Sequence, residues 1–242
     1  MRSRPARFAG VMLVLALAGC GDDDDAAPAT TAGAPVPTSP SATTSPSTGG
    51  GKEPNATVSP DLPEAFVGEV GPVEVQGASL PELGDNDTES DPARGMVAPV
   101  VIGQDFDGNT VRIDAAADGP TLAVFLAHWC PHCNREVPRI NELRDEGAFP
   151  PGLNIVGVST GIGPDRPNWP PSQWFEDMDW TYPVIADGVD MQRKTFIAAD
   201  AYGLDRFPLM VLIGDDGKVL ARWVGEHEPE ELIQLIEENL PQ

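Results

Sequence analysis

The chain has 242 residues, 38 of them Asp or Glu against 15 Lys or Arg, for a formal net charge of −23. That balance excludes a partner needing a basic, phosphate-binding surface, so nucleic acid is set aside. The 26 prolines and 25 glycines are spread unevenly, which makes the folded part smaller than the chain.

Arg2, Arg4 and Arg7 open the chain and residues 8–18 follow as a short apolar run, the layout of a secretory signal over residues 1–19. The run is shorter than the roughly 20 apolar residues that span a bilayer. Leu17-Ala18-Gly19-Cys20 then resembles the bacterial lipoprotein box. The resemblance implies cleavage before Cys20, acylation of that cysteine, and a lipid anchor on the extracytoplasmic face of the bacterial cell membrane. Three cysteines are an odd number for an exported chain, and lipidation of Cys20 leaves Cys130 and Cys133 as a pair.

Residues 20–60 continue with Asp22 to Asp25 and then little but Ala, Pro, Thr, Ser and Gly, with no periodic apolar pattern to bury. They read as a disordered linker. As a coil of about 40 residues it would reach roughly 35 Å. Residues 61–96 form an extension with weak alternation at Val70, Val73 and Val75 and a polar run over 84–91, which predicts one short strand and a loop.

The folded domain spans 97–242. An apolar run over 97–102, Asp107-Gly108, and 111–113 predict a β-hairpin. Residues 121–127 are apolar on both faces, as a central buried strand requires. Val137, Ile140 and Leu143 recur at helical spacing up to Gly147, a stop signal. Strands are predicted over 153–158 and 182–185, and a helix over 192–202. Strands 209–213 and 219–224 flank Asp215-Asp216-Gly217, and an acidic helix over 229–240 buries Leu232, Leu235 and Ile236. The order predicts an α/β fold, a central mixed sheet flanked by helices with an N-terminal β-hairpin extension.

The chemistry is concentrated in His128-Trp129-Cys130-Pro131-His132-Cys133, where a buried strand gives way to a helix. A cysteine at that junction meets unpaired backbone N–H groups and the positive end of the helix dipole, which favour the thiolate. Cys130 is then the nucleophile and Cys133 resolves the mixed disulfide. Pro131 suits the first helical turn, and a charged or hydrogen-bonding His132 favours the thiolate further.

Trp-Cys-x-x-Cys after an apolar strand, with a strand-opening proline far downstream, resembles the thioredoxin superfamily. Over residues 97–240 the arrangement is most similar to the extracytoplasmic TlpA/ResA-like thiol–disulfide oxidoreductases, while Cys-Pro-His-Cys resembles the DsbA-type oxidases. The resemblance implies a cis proline at Pro208, preceded by Phe207, that together with Trp129 forms the substrate face. Thioredoxin proper has a buried aspartate where this chain has Val124, so no general base is assigned; Glu136 and Glu226 are acids whose placement the fold decides. The implied enzyme is a thiol–disulfide oxidoreductase of open direction. It needs no cofactor beyond the redox-active Cys130–Cys133 disulfide. Its partners are exported proteins with thiols or disulfides and a membrane or extracytoplasmic redox partner.

Other uses of the dithiol meet obstacles. A closed zinc site needs four ligands and the chain has no second cysteine pair, so no metal is assigned. A structural staple across two residues removes little unfolded-state entropy. The alternative function is a thioredoxin-like module that binds copper or a partner without turnover; a peroxidase is a weaker third. His128 reads as a rim residue, and Trp169, Trp174, Phe175 and Trp180 mark an insertion after the 153–158 strand.

Overall fold

A computed structural model describes residues 62–84 and 90–240. The signal segment 1–19, Cys20 and the linker 20–60 lie outside the described residues, as does part of the polar run, 85–89.

β4 (Thr121–Leu126) is buried at all its positions because it has neighbours on both edges. It runs parallel to β5 (Asn154–Ser159) and antiparallel to β9 (Leu209–Ile213). β10 (Val219–Val224) extends the sheet beyond β9 and β6 (Val184–Ala186) beyond β5, in the order β10-β9-β4-β5-β6. Alternate β4 side chains face opposite sides, so Leu122, Val124 and Leu126 enter one core and Ala123 and Phe125 the other. Each large apolar side chain buried this way stabilises by about 1.5–3 kcal/mol.

The first core is covered by α2 (Pro131–Glu146), α3 (Pro171–Asp177) and α5 (Pro229–Asn239). Cys133, Val137 and Ile140 form the buried stripe of α2, and Leu232 and Ile236 that of α5, one turn apart as helical periodicity requires. α2 ends at Gly147, φ 64°, where the Ala148 N–H returns to the Leu143 carbonyl; glycine adopts this left-handed cap without strain.

The second core lies under a separate three-stranded sheet. β2 (Val100–Gln104) and β3 (Thr110–Ile113) form the expected hairpin, and β1 (Glu74–Gln76) pairs with the other edge of β2. The short helices α1 (Ala115–Asp118) and α4 (Ile197–Ala201) contribute Ala115, Ala198 and Ala201. Leu80, Leu83 and Ala93 join this core, so the extension packs on the sheet. Arg222 of β10 and Asp91, both wholly buried, are joined by two hydrogen bonds of 2.9 and 2.5 Å. Arg222 also donates to the Pro81 and Tyr202 carbonyls.

The fold is thioredoxin-like, a βαβ unit (β4, α2, β5) joined to a ββα unit (β9, β10, α5). Two element readings differ from it. The predicted strand 97–102 starts only at Val100; Val97 is exposed and makes one isolated bridge, to Lys218. The predicted helix 192–202 contracts to Ile197–Ala201 because the chain folds back as β7 (Val189–Asp190) against β8 (Thr195–Phe196). Asp190 Oδ1 stabilises that turn by accepting the Gln192 and Arg193 N–H groups, a side-chain substitute for helical hydrogen bonds.

Candidate active site

β4 delivers the motif at its C-terminal end, and Ala127 makes the turn by accepting the Cys130 N–H at 2.9 Å. Cys130 is the extended residue that precedes α2. Its sulfur is met by the His132 and Cys133 backbone N–H groups, which the helix leaves unpaired. Cys130 is 5% exposed and Cys133 not at all, and both are free thiols. The Cys133 thiol donates to Cys130; with those backbone groups and the charge of His132, this brings the Cys130 thiol down to about 6 against the opposing effect of burial. Cys133 is pushed strongly upward, first by burial and then by the bond it gives. One sulfur is an anion near neutrality and its neighbour keeps its proton.

The Phe207–Pro208 peptide bond is cis, and the Phe207 carbonyl lies 4.0 Å from Cys130 Sγ. The Phe207 ring meets the Trp129 ring edge-on at 5.7 Å, and Trp129 Nε1 donates to the Gly161 carbonyl at 2.7 Å. Gly161, at φ 60°, is required here, since a Cβ would lie 2.7 Å from Phe207 Cζ. Trp129, Cys130, Phe207 and Pro208 are therefore brought together, the arrangement that the family resemblance implies.

His132 points outward, its Nδ1 3.4 Å from Glu226 Oε1 and 3.1 Å from Arg135 Nη2. Arg135 binds Glu226 at 2.5 and 3.0 Å and, with His132, holds that carboxyl down to about 2. Glu226 is thus fixed as an anion. Glu136 is its opposite: fully buried one helical turn after Cys133, it is pushed up to about 7 by burial. Its Oε2 accepts the His227 N–H at 2.8 Å, while Oε1 has no partner. Its charge acts on Cys133. The signal for it was present in the sequence, a glutamate on the inward stripe of α2.

His128 is not a rim residue: it is 1% exposed. Nδ1 lies 2.7 Å from the Pro167 carbonyl, and Nε2 accepts the Gly163 N–H at 3.2 Å. That pattern requires the neutral ring with its proton on Nδ1, and burial pushes its pKa down. Asn134, missed in the sequence, donates to the Cys130 carbonyl at 2.7 Å and accepts from Trp174 Nε1 at 3.0 Å. The aromatic insertion is stitched to the dithiol motif by these bonds. Among the described residues no three His, Cys, Asp or Glu side chains converge as metal ligands, and no helix is long and apolar enough to cross a membrane.

A thioredoxin-like sheet presenting a Cys-x-x-Cys pair at the head of α2 defines a thiol–disulfide oxidoreductase. Residues 95–222 match the AhpC/TSA family, and the chain belongs to that family. Among its relatives, the thiol-disulfide oxidoreductase ResA of Geobacillus thermodenitrificans is 28% identical over 153 residues, covering 62% of this chain and 79% of that one. ResA of Halalkalibacterium halodurans is 24% identical over 136 residues, 55% of this chain and 71% of that one. A solved thioredoxin-family thiol:disulfide interchange protein from Chlorobium tepidum aligns with TM-score 0.48 at 23% identity, covering 61% of this chain and 97% of that one.

Proposed function

We propose that this chain is a lipid-anchored oxidoreductase on the extracytoplasmic face of the cell membrane, exchanging disulfides with exported proteins through Cys130 and Cys133. The observation that carries the reading is the Cys130 thiol, lowered to about 6 beside the cis bond of Pro208. The Cys130 thiolate attacks one sulfur of a substrate disulfide, a mixed disulfide forms, and the substrate's other sulfur leaves as a thiolate. Cys133 then gives up its proton and attacks Cys130 Sγ, closing the Cys130–Cys133 disulfide and releasing the second substrate thiol. Glu136, titrating near 7 and one turn from Cys133, receives that proton. Pro131 opens the helix whose N–H groups hold the anion, and His132 follows it in the motif, where a protonated ring would favour the thiolate further. Trp129, Phe207 and Pro208 form the face on which the substrate backbone lies. Run backwards, the same steps install a disulfide. A membrane or extracytoplasmic redox partner resets the pair.

Two measurements test this. A Cys133→Ser variant stops at the mixed disulfide and accumulates covalent adducts with exported proteins that thiol reagents release; absence of adducts overturns the reading. Equilibration of Cys130–Cys133 against glutathione sets the direction. A potential near about −120 mV assigns an oxidase and one near about −270 mV a reductase.

A further inference from the structure

The residues just before Cys130 hold more than the dithiol. His128 and Trp129 between them bind Gly161, Gly163 and Pro167 of the loop after β5, and the Arg166 N–H closes that loop onto the Gly163 carbonyl at 3.0 Å. Arg166 is exposed, and its guanidinium carbon sits 4.9 Å from the centre of the Trp129 ring, a cation–π stack. Gly163 makes room for the arginine stem, since a Cβ there would lie 3.1 Å from Arg166 Cγ.

The charge environment of this arginine is unusual for the chain. Every other described arginine has a carboxylate within salt-bridge distance, except Arg94, which donates to the Asn239 side chain. Arg166 has no carboxylate and no side-chain hydrogen bond among the described residues, although Asp165 adjoins it and the protein carries a net charge of −23. A guanidinium held over a ring face uses none of its N–H groups in that contact, and its planar N–H fork is the geometry that grips a carboxylate with two bonds. The stacking partner is Trp129, whose ring also meets Phe207, and the Phe207 carbonyl faces Cys130 Sγ.

We infer that Arg166 is a substrate-recognising residue, binding the carboxylate of an acidic side chain next to the reacting cysteine of the substrate polypeptide. This deepens the proposed function and rests on it. The protein's net negative charge repels acidic partners at long range; Arg166 selects those that place a carboxylate beside their cysteine.

The test uses the full chain with Cys20→Ala, so that only the Cys130–Cys133 thiols react. Reduced protein is mixed with symmetric disulfides of short peptides bearing Asp, Asn or Lys after the cysteine. Two protein thiols are oxidised as each peptide disulfide becomes two thiols. Every rate is divided by that of dithiothreitol with the same peptide, which cancels intrinsic disulfide reactivity. The Asp peptide is expected to react about fivefold faster than the Lys peptide at low salt, with the preference collapsing in 0.5 M salt. Arg166→Gln should abolish the preference yet leave the rate with neutral hydroxyethyl disulfide within twofold of wild type. Absence of preference in the wild type, or an equal preference in Arg166→Gln, overturns the inference. Failure of the wild type both to reduce hydroxyethyl disulfide in its dithiol form and to oxidise mercaptoethanol in its disulfide form overturns the exchange reading beneath it.

Discussion

At Cys130 the question is which contact holds the anion. The Cys133 S–H is the largest contribution lowering the Cys130 thiol, ahead of the backbone N–H groups and His132. Thiolate absorbance near 240 nm should titrate with a midpoint of about 6, and Cys133→Ala should move it upward by removing the donor. An unmoved midpoint would transfer the credit to the helix terminus. Glu136 gives a stability test with a definite sign. Its folded value of about 7 lies above the ordinary glutamate value of 4.5, so between these limits the folded state holds more protons than the unfolded one. The stability is fully present below about pH 4.5 and is lost as pH rises through 7. Glu136→Gln, which cannot ionise, should therefore raise stability at pH 8 by on the order of 2–3 kcal/mol and leave it nearly unchanged at pH 4.5. Urea unfolding at the two pH values decides, and an equal effect at both would mean that Glu136 is not buried as a titrating acid. The cysteines and Trp129 were legible because the motif names them, and Pro208 because the family resemblance implies it. Glu136 could be named but given no role until its burial was known, and Arg166 was not legible, since an arginine in a loop looks ordinary until its pairing is known.

Among the elements, the strands were the most legible, because β4, β5 and β9 are buried on both faces and carry largely apolar runs. The helix predicted over 192–202 failed where local turn chemistry at Asp190 prevailed over propensity. The link between the extension and β10 was not readable at all, because an aspartate in a polar run gives no sign that it meets an arginine 131 residues away. That pair ties the segment before β2 to the outer strand of the sheet. Removing one partner of a buried ion pair leaves an uncompensated charge, at a cost of about 3–5 kcal/mol. Asp91→Asn should show a loss of that order in denaturant midpoint with the slope unchanged. The double variant Asp91→Leu with Arg222→Met should recover much of it. If the double variant is as unstable as the single one, the carbonyl bonds of Arg222 to Pro81 and Tyr202, rather than the ion pair, hold the segment.

For the molecule as a whole, charge and the proposed anchor pull in opposite directions. The fold class was legible from element order, but the proposed attachment rests on the sequence alone, on Leu17-Ala18-Gly19-Cys20, which lies outside the described residues. A chain of net charge −23 is repelled by an anionic lipid surface, so the proposed anchoring assigns membrane association to acyl chains rather than to surface electrostatics. These two origins respond differently to salt. Electrostatic attachment is screened within about 10 Å at 0.1 M and weaker still at 1 M, whereas burial of hydrocarbon, at about 0.8 kcal/mol per CH₂, is not. Wild-type protein expressed with its own leader should therefore sediment with membranes, survive a 1 M salt wash, and incorporate an alkyne-tagged fatty acid. Cys20→Ser should lose the label and move to the soluble fraction, while its rate with hydroxyethyl disulfide stays that of the wild type, because Cys130 and Cys133 are untouched. Salt release of the wild type, or retention of Cys20→Ser on membranes, would replace the lipid anchor with a protein partner at the surface.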